Sequence, residues 1–149
     1  MSQIVEAFIV PSAAMAQAAA CCERGDRPGM RAALAPHEFE SFAWSGYVIV
    51  VLVEWLREQS IELPRSADPV AARLVNMEDP LLCAPASEMA QLVAQLGGLN
   101  PTSDELARYW REFAADVPEA AEFMADAWSW LNRVASAGAE ADWCVMFEG

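Results

Sequence analysis

The chain has 149 residues, of which 22 are acidic and nine are arginine, with no lysine, so its formal net charge is −13. The length favours one domain over residues 1–149, because two domains would have fewer than about 75 residues each with which to bury a core. Hydrophobic residues make up 55% of the chain, which predicts a folded protein. The excess of negative charge argues against nucleic acid or an anionic membrane as a partner, since basic surfaces bind both.

The apolar stretches and the cysteines indicate where the protein is located and whether it binds a metal. The longest apolar stretch, residues 42–53, ends at Glu54 and is shorter than the roughly 18 residues that a membrane span requires. No secretory signal is visible, so we expect a cytoplasmic protein. The cysteines form no C-x-x-C pair, and the single histidine, His37, cannot complete a zinc site of the usual spacing. The sequence predicts free thiols and neither metal nor cofactor; the cysteines are Cys21, Cys22, Cys83 and Cys144.

The first 36 residues predict a strand followed by two helices. Residues 3–10 are rich in β-branched side chains and Phe, which favours a strand. Ser12 is a suitable N-cap for an Ala-rich helix over residues 13–23. Asp26 and Pro28 occupy the cap and early positions of a short helix that runs towards Leu34.

The segment from His37 to Gln59 admits two interpretations. The β-branched run at residues 47–53 suits a buried strand, so whether residues 46–53 are helix or strand stays open on propensity alone. Apolar residues from Trp44 to Leu56 recur at a spacing of three and four, which is typical of a helix. We therefore predict one buried helix over the whole segment.

The second half of the chain predicts short elements that alternate with turns. Thr102 and Glu105 form a capping box, the clearest helix start in the sequence. Gly138 is expected to end the last helix. The predicted elements are helices over residues 68–75, 85–96 and 118–136, a helix that starts at Thr102 and that Pro118 ends or restarts, a short strand near 81–83 and a last strand at 143–147.

These elements predict a predominantly helical α+β fold. A lone terminal strand cannot satisfy its backbone groups, so the strand at about 3–10 should pair with the strand at 143–147. About five to seven helices would pack on this small sheet, which the segment near 81–83 extends to a third strand.

Four stretches of the chain carry a resemblance to a known family. They are IVEAFIV with PSAAMAQAA, FESFAWSGYVIVVLVEWL, DPLLCAPASEMAQLVAQL and WLNRVASAGAEADWCVMFEG. This order of pieces resembles the YfbM-like family of small bacterial proteins of unknown function. The resemblance implies an α+β fold and no known activity. It also implies an immunity-type role, since some relatives are thought to lie beside bacterial toxin genes.

No residue pattern in the sequence points to catalysis. His37 is the only base available for a hydrolase triad, and it follows Pro36 where a solvated histidine is ordinary. The paired carboxylates lie in first turns of helices, where acids favour the helix dipole. We therefore predict no catalytic residues and a non-catalytic protein.

Two functions from different classes fit the remaining features. The first is an acidic protein that binds a basic protein such as a toxin, through Glu119, Glu122 and Asp126 together with Trp128. The alternative is a small ligand-binding or enzymatic domain with an aromatic-lined pocket. That pocket would hold Trp44, Tyr47, Arg108 and Arg111. Oligomeric state and the identity of any partner stay open.

Overall fold

The computed structural model describes residues 4–148, and its centre is a three-stranded antiparallel sheet. The strands are β1 (Val5–Val10), β2 (Leu82–Pro85) and β3 (Trp143–Glu148), in the order β1-β3-β2. The register sets Val10 opposite Trp143 and Leu82 opposite Met146. The predicted pairing of the terminal strands and the predicted third strand are both confirmed, and the last strand lies in the middle.

Helices surround the sheet, which confirms the predominantly helical α+β prediction. Within residues 4–148 they are α1 (Ser12–Glu23), α2 (Arg27–Leu34), α3 (Gly46–Glu58), α4 (Pro69–Glu78), α5 (Ala86–Gly97), α6 (Ser103–Phe113) and α7 (Ala120–Ala139), with a 3-10 turn at Ala35–His37. In the same part of the chain, no helix combines the length and apolar character needed to cross a bilayer.

The central strand is buried on both faces, because helices cover each side of the sheet. Trp143, Val145 and Phe147 pack with α1, α2 and α4, whereas Cys144 and Met146 pack with the core of α3, α5, α6 and α7. Successive side chains of a strand point to opposite faces, so one strand supplies both cores. The apolar run that ends the sequence is therefore explained by two-sided burial.

Three helix starts follow from local capping, as the sequence predicts. The Asp26 carboxylate accepts a hydrogen bond from the amide of Gly29 at 2.9 Å, and the Thr102 hydroxyl accepts one from the amide of Glu105 at 3.1 Å. Asp68 caps α4 in the same way. Such caps satisfy donors that the first turn of a helix leaves unpaired.

The prediction of one helix over residues 37–59 is wrong in its first part. The helix begins at Gly46 and includes residues 47–53, so the alternative of a strand there is excluded. Residues 38–45, which we call the strap, cross α7 without regular structure. The amide of Phe39 donates to the carbonyl of Ala7, and the indole of Trp130 donates to the carbonyl of Glu40. Partners distant in sequence therefore occupy backbone groups that a helix would have used.

Two predicted helix boundaries are also wrong. Pro11, not Ser12, holds the N-cap position of α1, and the Ser12 amide donates to the Asp142 carboxylate at 2.8 Å. Gly138 does not end α7, since the helix continues through it to Ala139. A β-carbon at Gly138 would lie 2.9 Å from the β-carbon of Cys144, so the glycine permits the close approach of α7 to β3.

Candidate functional site

The acidic residues predicted to bind a partner lie together at the start of α7. Glu119 precedes the first residue of the helix, and Glu122 and Asp126 follow on the same side at a spacing of three and four. All three side chains are exposed, and none belongs to an ion pair among residues 4–148. Asp126 accepts a hydrogen bond from the indole of Trp44 at 2.8 Å, so the strap holds this carboxylate in place.

Trp128 lies apart from these acids. It is about 180° around the helix from Glu119, at the opposite edge of the exposed face of α7. The ring is half-buried and packs edge-on against Trp55 with centroids 5.9 Å apart. One side of it lines a shallow, open cavity of 520 Å³ whose other lining residues are Ser129, Asn132, Arg133 and Ser136.

Arg133 lies on the same side of α7 as Glu122 and Asp126, about two turns after Asp126, and lines the cavity beside Trp128. Its guanidinium pairs with the Glu40 carboxylate of the strap and donates to the Ser129 hydroxyl at 2.7 Å. A smaller cavity of 190 Å³ lies beside it, between the strap and α7, and Asp126 lines one wall. The positive charge on this face is therefore already neutralised by the protein itself.

The four residues of the alternative pocket do not enclose a cavity together. Trp44 packs on Phe123 with centroids 5.6 Å apart, and Tyr47 packs on Trp110 at 5.5 Å. Trp110 and Phe123 are in contact at 4.6 Å, so the four rings form one packed chain. Arg108 and Arg111 are exposed on α6, and Arg111 pairs with Asp116 at 3.0 Å. The cavities of 520, 250 and 190 Å³ in residues 4–148 are lined by other side chains.

Most arginines are already engaged in ion pairs, which leaves several carboxylates of α6 and α7 without an arginine partner. Seven of the nine arginines form ion pairs within residues 4–148, and the exceptions are Arg24 and Arg108. Across residues 104–126 only Asp116 among seven acids has an arginine partner in the described chain. We call the other six the acidic surface: Asp104, Glu105, Glu112, Glu119, Glu122 and Asp126.

Two features of the structure are missing from the sequence prediction. Phe113, the last residue of α6, is 48% exposed. The cavity of 250 Å³ between α3, the loop that follows it and the residues just before β2 is lined in part by charged residues, including Arg57 and Arg65. These arginines pair with Glu62 and Asp79. The position of Phe113 at the end of a helix was the one signal that could have indicated its exposure.

The cysteines form no disulfide in the described chain, and burial lowers the reactivity of three of them. Cys21, Cys83 and Cys144 are buried and Cys22 is half-buried. Burial raises the pKa of Cys22 to about 11 and that of Cys83 and Cys144 to about 12. These three thiols are protonated at neutral pH, and the thiol is a poor nucleophile compared with the thiolate. Within residues 4–148, no group of three or more His, Cys, Asp or Glu is placed to hold a metal ion.

Comparison of the chain with protein-family models, with curated proteins and with solved structures finds no match. The resemblance to the YfbM-like family therefore stays a prediction. What the protein binds has to be inferred from the acidic surface and the groups around it.

Proposed function

We propose that this protein is a non-catalytic binding protein whose acidic surface binds a basic protein. An immunity-type role, in which the partner is a basic bacterial toxin, is the specific form of this proposal. The observation that carries it is the acidic surface itself, in which six carboxylates across residues 104–126 have no arginine partner in the described chain. The free thiols also suit a reducing compartment, and we place the protein in the cytoplasm.

The physical basis is charge complementarity. Unpaired carboxylates on one side of a chain of net charge −13 repel one another, and a cationic partner relieves that repulsion. The same field accelerates the approach of a basic protein and rejects acidic ones. Trp128 lies apart from these carboxylates on α7, so the proposed surface does not include it.

The test begins with capture of partners from a bacterial host lysate at low ionic strength. Each captured protein is then purified, and its association rate with the chain is measured. The site variant is Glu119→Gln with Glu122→Gln and Asp126→Asn, in which the side-chain amide introduced by the third change keeps an oxygen that accepts from Trp44. We expect a basic protein that binds the site variant more slowly, most clearly at low salt, because salt screens steering beyond about 10 Å at 0.1 M.

A matched control separates the site from net charge. Glu38, Glu140 and Glu148 are exposed and have no ion pair among residues 4–148, so their replacement by Gln changes the charge equally. If both triple variants slow association with the partner equally, the binding site is not at Glu119, Glu122 and Asp126. A small molecule that co-purifies, with no basic protein captured, would instead favour the ligand-binding alternative.

A further inference from the structure

Two exposed aromatic side chains lie near Trp110 of α6. Among residues 4–148, the exposed large apolar side chains are Ile4 at 62%, Tyr47 at 39% and Phe113 at 48%. Tyr47 packs on Trp110, and Phe113 follows Trp110 by three residues on the same helix. Isolated exposed apolar residues are ordinary on a protein surface, but adjacent aromatic rings are typical of the centre of an interface.

The neighbourhood of these rings is negatively charged. Tyr109 packs against Phe113 with centroids 5.1 Å apart. Burial, followed by the charges of Glu58, Glu54 and Glu112, raises the pKa of Tyr109, and Glu58 also hydrogen-bonds its hydroxyl. The three acids therefore lie close to this ring. We call Tyr47, Tyr109 and Phe113 the aromatic patch.

Packed rings connect the aromatic patch to the start of α7, where part of the acidic surface lies. Trp110, on which Tyr47 packs, contacts Phe123 of α7, and Phe123 lies between Glu122 and Asp126 in sequence. Trp44 packs on the other side of Phe123 and donates to Asp126. Buried rings therefore join α3 and α6, which carry the exposed aromatic side chains, to the start of α7, which carries Glu122 and Asp126.

We infer that the aromatic patch anchors the basic partner by receiving arginine side chains, a step that rests on the proposed function. A guanidinium group stacks flat on an aromatic ring and at the same time donates in a fork to a carboxylate. Phe113 provides an exposed ring face that packs on Tyr109, and the exposed carboxylates of Glu112 and Glu58 lie close to Tyr109. Tyr47 provides a second exposed ring, near the start of α3. A lysine ammonium has neither the planar surface nor the forked donors, so the patch distinguishes arginine from lysine at equal charge.

Charge also argues against a second copy of this chain as the occupant. A symmetric dimer through the patch would bring Glu58 and Glu112 of one copy against the same acids of the other, in chains of net charge −13 each. Burial of like charges opposes association, whereas a basic partner turns the same acids into favourable contacts.

Two peptides of equal length and charge test the preference directly. One alternates arginine with glycine, the other alternates lysine with glycine, and both have blocked termini. Binding to the intact chain is measured by titration calorimetry at low ionic strength. We expect the arginine peptide to bind about two- to fivefold tighter, the range expected for an exposed cation–π contact.

Variants locate the preference on the patch. Phe113→Ala and Tyr47→Ala should each reduce the ratio of the two affinities towards one, and Ile4→Ala, which removes the third exposed apolar side chain, should leave it unchanged. Circular dichroism melting confirms that each variant is folded. Tyr47→Phe, which keeps the ring and its packing on Trp110, should retain the preference and guards against an effect of misfolding.

Three results overturn the inference. The first is equal affinity of the intact chain for the two peptides. The second is a folded Phe113→Ala variant that still prefers the arginine peptide as strongly as the wild type does. The third is a wild-type protein that light scattering shows to be a dimer and that becomes a monomer in Phe113→Ala. The proposed function is judged separately, by the captured basic protein and the site variant at Glu119, Glu122 and Asp126. If a captured basic protein associates more slowly with that variant, the proposed function is supported, even when the intact chain binds the two peptides equally.

Discussion

Replacement of Gly138 by alanine tests how closely α7 packs on the sheet. The added β-carbon would lie 2.9 Å from the β-carbon of Cys144 and 3.1 Å from the γ-carbon of Met89. Cys144 lies on the central strand, where its neighbours on both sides hold the backbone. A β-carbon attached to fixed backbone does not move when its side chain rotates, so the contact with Cys144 is relieved only if the helix shifts.

The expected loss of stability follows from two opposing terms. Alanine in place of glycine within a helix stabilises it by about 1 kcal/mol. Overpacking of a filled core costs about 1–3 kcal/mol, and a clash between two backbone-anchored carbons belongs near the upper end of that range. The free energy of unfolding should therefore fall by about 1–2 kcal/mol, which lowers the melting temperature by about 2–8 °C for a chain of this size.

Urea unfolding followed by circular dichroism measures this change against a matched control. A β-carbon at Gly97, the last residue of α5, has no atom within 4 Å, so Gly97→Ala should leave stability unchanged or raise it. Cys144→Gly removes the opposing carbon, and its combination with Gly138→Ala should recover about 1 kcal/mol relative to the sum of the single changes. A Gly138→Ala protein at least as stable as the wild type would refute the reasoning.

Three further predictions concern the sheet, the thiols and the acidic surface. Deletion of residues 143–149 removes the central strand and buried aromatic rings worth about 3–5 kcal/mol each, so circular dichroism should show a largely unfolded chain; a cooperative melt near the wild-type temperature would disprove the pairing. Burial raises the pKa of Cys83 and Cys144 from 9.0 to about 12, so the unfolded chain loses these protons first. In reductant, the free energy of unfolding should be independent of these two thiols below pH 9 and should fall by about 1.4 kcal/mol for each of them at pH 10. Ala at both positions should reduce this fall, and Cys22, whose pKa is raised to about 11, should account for part of what remains. The site variant at Glu119, Glu122 and Asp126 should melt at the wild-type temperature or slightly above it, because relief of repulsion offsets the lost interaction with the start of α7; a clearly lower melting temperature would show that these acids stabilise the fold.

The sequence by itself determined the elements whose cause is local. Thr102 and Asp26 cap helices because each side chain reaches an amide only three residues away. The terminal strands were predictable because an isolated strand leaves its backbone groups unpaired, and only a few apolar runs were available as partners. The presence of acids at residues 119, 122 and 126, three and four apart, likewise predicted that these carboxylates share one side of α7.

Tertiary structure alone decided the features that depend on distant partners. The strap is not helical because its backbone groups form hydrogen bonds with Trp130 and Ala7, which are far away in sequence. Gly138 continues the helix instead of ending it, because the sheet passes close to α7 at that point. The sequence also could not predict which carboxylates remain unpaired, because ion pairs such as Arg133 with Glu40 join residues that are 93 positions apart. Local hydrogen bonds depend on neighbouring residues, whereas exposure and charge pairing depend on which surfaces the folded chain brings together.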